Sequence, residues 1–434
     1  MNRTSLLLKE WASMIENFWK DKYPAGITAE INPDEFPNIQ AVLKQSCQRF
    51  ADKPAFSNLG KTITYGELYA LSGAFAAWLQ QHTDLKPGDR IAVQLPNVLQ
   101  YPVAVFGAMR AGLIVVNTNP LYTAREMEHQ FNDSGAKALV CLANMAHLAE
   151  KVVPKTQVRH VIVTEVADLL PPLKRLLINS VIKYVKKMVP AYNLPRAVRF
   201  NDALAQGKGQ PVTEANPQAN DVAVLQYTGG TTGVAKGAML THRNLVANML
   251  QCRALMGSNL HEGCEILITP LPLYHIYAFT FHCMAMMLIG NHNVLISNPR
   301  DLPAMVKELG KWKFSGFVGL NTLFVALCNN EAFRALDFSA LKITRFWRHG
   351  PATERGRALE GRDRLRHLRR LWHDRDQPGG CGEPGGGQPG RHHRYSGAVH
   401  PVQGHRRQRQ RAAAGRGGRV VRQGPAGDEG LLAA

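Results

Sequence analysis

One apolar run, Val222-Ala223-Val224-Leu225, leads into Tyr227-Thr228-Gly229-Gly230-Thr231-Thr232-Gly233-Val234-Ala235-Lys236-Gly237, and no other stretch restricts this 434-residue chain so tightly. A short β-prone run bounded by glycines reads as a buried strand ending in a tight turn. Gly229, Gly230, Gly233 and Gly237 let the backbone aim successive N–H groups at one point. Thr228, Thr231 and Thr232 add hydroxyl donors, and Lys236 adds a mobile positive charge. A strand running into such a loop is a cradle for a polyphosphate. It contains no nucleophile. The Walker pattern places its lysine directly after a glycine and before Ser or Thr, whereas Lys236 lies between Ala235 and Gly237. P-loop kinases and GTPases are therefore disfavoured; a plain flexible Gly/Thr linker remains the bland alternative.

The chain before this loop alternates strand and helix. A helix is expected from Glu35 to Phe50, with Val42, Leu43 and Cys47 on one face. Thr64 and Glu67 form a capping box for a second helix, whose stripe is Leu68, Leu71, Phe75, Trp78 and Leu79. Then come a strand through Ile91, Val93 and Leu95, a helix from Tyr101 to Arg110, and a strand from Leu113 to Val116. The pattern continues through helix Glu126 to Asp133, strand Ala138 to Cys141, helix Ala146 to Val152 and strand His160 to Thr164. Such alternation predicts an α/β fold with parallel sheet covered by helices. Beyond the loop, a helix from Asn244 to Met256 and a strand from Glu265 to Ile268 are expected, followed by Pro270-Leu271-Pro272-Leu273-Tyr274-His275. A lone histidine after a strand is by default a hydrogen-bonded core residue.

The glycine loop resembles, residue for residue, the signature loop of the adenylate-forming enzymes, and its continuation Ala238-Met239-Leu240-Thr241-His242-Arg243-Asn244 is similar to the long-chain fatty acyl-CoA synthetase version. Arg110-Ala111-Gly112 through Asn119-Pro120, Pro270 to His275, and Val318 to Leu323 resemble further motifs of that superfamily. The resemblance spans about Met14 to Thr344 and implies the large N-terminal lobe of these enzymes, in truncated form. It implies ATP, Mg²⁺ and CoA as the cofactor and co-substrates, and a long-chain fatty acid as substrate. Tyr227, Thr228, Gly229, Gly230, Thr231, Thr232, Gly233, Lys236 and Gly237 would hold the nucleotide, Thr228 toward Mg²⁺ or phosphate and Thr231, Thr232 and Lys236 at the β- and γ-phosphates. His275 would stand beside the acyl carboxylate, and Lys236 and His275 are the residues the resemblance casts in the chemistry. A related ligase for another acid, or a non-catalytic nucleotide-binding remnant with a polyanion-binding tail, stays open.

Residues 345–434 break the pattern. They carry 19 Arg, 8 Asp and Glu, and no Lys, Ile, Met or Asn, so they hold +11 of the net charge of +19. No apolar period survives there, which predicts disorder. The genetic code offers a cause. With third bases chosen freely, Leu371 to Pro378 read one nucleotide out of frame becomes Tyr-Gly-Met-Thr-Glu-Thr-Ser-Pro, which resembles the superfamily's next motif. The same shift turns Arg345 to Pro351 into Val-Ser-Gly-Gly-Met-Ala-Leu. One frameshift near Thr344 thus accounts for the whole tail, and residues 1–13, ahead of Met14, read as a non-native extension.

Seven scattered cysteines without a C-x-x-C pair point to a reducing, cytoplasmic setting and away from a zinc site. The apolar stretch Ala278 to Gly290 is too short to span a bilayer. Residues 169–200 hold seven basic residues and no acid, with Arg175, Lys183, Lys186 and Lys187 on one side of a helical wheel and Leu173, Leu177, Val181, Tyr184 and Met188 on the other. That is the pattern of a helix lying on anionic lipid or, equally, of a surface helix with a solvated basic face. No specific nucleic-acid partner is expected.

Overall fold

The computed structural model describes residues 30–228, 235–256 and 260–347, together with Tyr23, Ile27 and Thr28; beyond Thr344 only backbone is described. The expected N-terminal extension, the six loop residues 229–234 and nearly all of the expected tail lie outside that set.

Thirteen strands are present among the described residues: β1 (Pro54–Asn58), β2 (Lys61–Thr64), β3 (Arg90–Gln94), β4 (Ile114–Asn117), β5 (Ala136–Leu142), β6 (His160–Thr164), β7 (Val198–Arg199), β8 (Val222–Thr228), β9 (Lys236–Thr241), β10 (Ile266–Thr269), β11 (His292–Leu295), β12 (Gly316–Leu320) and β13 (Ile343–Trp347). They form two sheets, ordered β7-β6-β5-β3-β4-β8-β9 and β13-β12-β10-β11-β1-β2. In each, every neighbouring pair is parallel except the last, which is an antiparallel pair at the sheet edge: β8 with β9, and β1 with β2. The α/β expectation holds, and β3, β4, β5 and β6 are buried on both faces as parallel strands covered by helices must be.

Local chemistry sets the element ends. Thr64 and Glu67 do form a capping box on helix Tyr65–His82, and Thr123 and Glu126 form a second on helix Ala124–Ser134, which Gly135 closes in the left-handed conformation at φ 61°. The first helix begins at Ile39 rather than Glu35, because the Asn38 side chain accepts from the Ala41 N–H and fixes the start there. Helix Tyr65–His82 is the hub of the main core. It packs on helices Gln100–Arg110 and Phe200–Gly207, with Phe75 against Phe200 at 5.0 Å between ring centres. At Gly207 a Cβ would lie 1.9 Å from the Ala74 carbonyl oxygen, so only glycine allows that approach.

Arg110, from one of the segments that resemble motifs of the superfamily, has a structural use. It is buried, lies over the Tyr69 ring at 4.0 Å, donates to the Tyr69 carbonyl at 2.6 Å and pairs with Glu214. The stretch read as too short to span a membrane is an interior element: a wide helical turn, Phe279–Ala285, buried throughout. Among the described residues no helix is long and apolar enough to cross a bilayer. Strand β13 keeps its backbone register with β12 as far as Trp347 opposite Leu320, three residues past the expected boundary at Thr344.

Candidate functional site

The glycine loop joins two strands of one hairpin. Tyr227 faces Gly237 and Thr228 faces Lys236 across the β8–β9 ladder, so the structure brings these four candidate residues together at the loop's mouth. Thr228 and Lys236 are exposed there. Sequence reading missed β9, because glycine-rich signals mask the strand that follows and its outward residue Met239 is 70% exposed. Tyr227 is buried instead. Its hydroxyl donates to Asp133 Oδ2 at 2.5 Å, and burial first, then that bond, pushes the phenol well above its usual range. Its ring covers the Gly237 α-carbon, where a Cβ would meet ring atoms at 2.9 Å.

His275 stands in the loop after β10, in the other sheet. It caps the turn that follows, its Nδ1 accepting from the Tyr277 N–H at 3.3 Å. Two buried residues fasten this loop to the first sheet. Asn97 donates to the Thr269 and Leu271 carbonyls, both at 2.9 Å, and accepts from the Leu273 N–H at 2.8 Å. The Tyr101 hydroxyl lies 2.8 Å from both the Leu273 carbonyl and Asn117 Oδ1. Asn117 in turn donates to Gln226, one residue before Tyr227. The phenols of Tyr227 and Tyr274 are both raised, chiefly by burial and in part by Tyr122. The carboxyl ends of β4, β8 and β10 are thereby linked through a single polar network, which is where ligands bind in open parallel sheets. Asn97, Tyr101, Asn117 and Asp133 carried no sequence signal beyond that of turn and helix residues, since their partners lie far along the chain.

Thr228, cast by the resemblance toward Mg²⁺ or phosphate, lies exposed at the end of β8. Thr228 offers one neutral oxygen, and among the described residues no three His, Cys, Asp or Glu side chains gather as a metal holder. Mg²⁺ is bound through one or two carboxylates together with substrate phosphates. The described residues do not make that site by themselves.

A family model for AMP-binding enzymes matches residues 43–371, more than half of the chain. The chain belongs to the AMP-binding enzyme family. Among curated members it is 52% identical over 330 residues to a long-chain-fatty-acid–CoA ligase of Salmonella typhimurium, a match covering 76% of this chain and 59% of that one. It is 46% identical over 332 residues to the ligase of that name from Haemophilus influenzae, with the same coverage. The chain thus spans about three fifths of the length of these family members, while about a quarter of its own length goes unmatched. A solved long-chain-fatty-acid-CoA ligase from Archaeoglobus fulgidus shares the fold at TM-score 0.62 and 23% identity, over 81% of this chain and 63% of that one. A red-emitting luciferase from Phrixothrix hirtus shares it at TM-score 0.60 and 17% identity, over 78% and 59%. The α/β N-terminal lobe that the resemblance implied is what the fold presents.

Proposed function

We propose that this chain is the nucleotide-binding part of a long-chain fatty acid–CoA ligase, and that as translated it lacks what is needed to complete the reaction. The observation that carries the reading is the hairpin mouth, with Thr228 opposite Lys236 at the strand ends where the polar network joins the two sheets. The identity to ligases of that name supports the substrate class.

In the reaction, a fatty acid carboxylate oxygen attacks the α-phosphorus of ATP and pyrophosphate leaves. The CoA sulfur then attacks the acyl carbon and AMP leaves. Neither step requires an enzyme nucleophile; both require in-line placement and a partner for developing negative charge. Lys236 is the described charge at the loop, and to His275, in the segment after β10, we assign the acyl carboxylate. By the resemblance, the remaining contacts, including any carboxylate for Mg²⁺, lie beyond Thr344 in the restored frame.

The test compares this chain with one whose reading frame is restored after Thr344, by AMP release and by pyrophosphate exchange over a panel of long-chain, short-chain, aryl and amino acids. The restored chain is expected to turn over long-chain acids, and Lys236→Ala in it to lose about a hundredfold, the ~3 kcal/mol cost of one charge contact. Normal turnover by the chain as translated would refute the claim of incompleteness, and a preference for another acid class would refute the substrate. Sequencing the gene across codons 335–350 decides the frameshift itself.

An exposed surface favours a further part of the reading, peripheral contact with anionic membrane from the cytoplasmic side. Helix Pro172–Ser180 and the wide turn Val181–Val185 leave Leu173 85%, Leu176 67%, Leu177 65%, Tyr184 69% and Val185 74% exposed. Lys183, Lys186 and Lys187 are exposed beside them. The apolar side does not turn into the core, as a helix with only a solvated basic face would have it do.

A further inference from the structure

Helix Ala124–Ser134 reaches the glycine loop at both of its ends. On the entering strand, Asp133 Oδ2 accepts from the Tyr227 hydroxyl at 2.5 Å. On the leaving strand, His129 Nε2 lies 3.1 Å from the Ala235 carbonyl; a carbonyl can only accept, so this bond puts the proton on Nε2. His129 and Asp133 are four residues apart and share one face of the helix. The helix is a firm base for such a grip. A capping box holds its start, Gly135 ends it, and Met127 and Phe131 are fully buried in the apolar cluster that also contains Tyr227. The two bonds hold described residues on either side of the loop, Tyr227 on the entering strand and Ala235 just before β9.

We propose that Asp133 and His129 are positioning residues for nucleotide binding: a two-point clamp on Tyr227 and Ala235, the residues that flank the glycine loop. This rests on the reading of residues 227–237 as a phosphate loop. Neither residue is asked to touch the nucleotide. Their work is done through Tyr227 and Ala235, and the ring of Tyr227 passes the hold across the ladder to Gly237.

The test uses the full 434-residue chain and two readouts, hydrogen exchange of peptides covering 222–241 and equilibrium binding of ATP. Tyr227→Phe and Asp133→Ala are each expected to speed exchange in 228–237 while leaving β3 to β6 protected, and to weaken ATP binding about tenfold. The double variant should lose no more than either single one, because both remove the same bond. His129→Ala should act on the other strand, and His129→Gln, which keeps an N–H donor, should restore the affinity. Asp133→Asn, which keeps an acceptor, should likewise restore most of the loss. Unchanged exchange, additive losses, or faster exchange with intact ATP affinity would each overturn the proposal. If the unaltered chain binds no ATP, the phosphate-loop reading is what fails; the exchange data then judge the clamp alone, and unchanged exchange overturns it.

Discussion

Gly237 shows how one residue of a recognised loop answers to packing before it answers to a ligand. Its place under the Tyr227 ring leaves no room for a methyl group. Gly237→Ala should therefore cost about 1–3 kcal/mol of stability by overpacking, most of it relieved when Tyr227 is also replaced by Ala. Urea midpoints of the four variants check this; an equal cost in both backgrounds would show that the ring is not the obstacle. The glycine was read as part of a phosphate cradle. Its tie to Tyr227 was not, because nothing in the order of residues states that the two face each other across a ladder. The same holds for Asn97, which reads only as a strand stop yet secures the loop before His275 from a distance of 176 residues.

Elements with strong local codes were the legible ones. The Thr64 and Glu67 capping box and the strand–helix alternation from Ile91 to Thr164 appear as read, but the expected stripe of helix Tyr65–His82 does not: Leu71 is only half-buried, and burial runs unbroken from Ser72 to Leu79. The basic segment after Leu169 was readable as amphipathic, and its packing bears on the two meanings of that pattern. Asn179 pins it from beneath, accepting from the Ala167 N–H and donating to Glu165 and Asp168, while its leucines point outward. The acids of its surroundings are thus turned to the anchoring side. Cosedimentation with vesicles should show binding to phosphatidylglycerol and little to phosphatidylcholine, fading as salt is raised. Each Lys→Gln change at 183, 186 or 187 should weaken it about fivefold, near 1 kcal/mol per charge. Replacing Leu173, Leu177 and Tyr184 by Ser should cost at least about tenfold more, given what burying each such side chain is worth. Equal binding to both lipids, or indifference to these changes, would remove the segment from any membrane role.

At the scale of the whole molecule, three buried histidines make stability depend on mild acid. Burial lowers His242, His282 and His292 to about 4 each. In the unfolded chain they titrate near 6.5, so below that pH the unfolded state binds more protons than the folded one. Their contribution is complete above about pH 6.5 and is lost as the pH falls toward 4, by up to about 1.4 kcal/mol per pH unit for each histidine. His282 is the most demanding, bonded through Nδ1 to Asn293 at 2.8 Å with its Nε2 buried and without a partner. Urea midpoints should fall steadily from pH 7 to pH 5, and less steeply in His282→Gln; a flat profile would contradict the assignment.

The two sheets also differ in when they can form. Every strand of the seven-stranded sheet comes from residues 90–241, one uninterrupted stretch. The six-stranded sheet instead starts with β1 and β2, and β1 finds its parallel neighbour only in β11; the Asn58 side chain donates to the Leu295 carbonyl 237 residues away. At about 5–20 residues per second on the ribosome, that partner emerges roughly ten seconds or more after the hairpin that needs it. In that interval the first sheet can close while β1 stays unmatched. The nascent chain therefore passes through a stage with a finished nucleotide-side sheet and an orphaned strand, and that stage is where this protein is most open to chaperones and to misassociation.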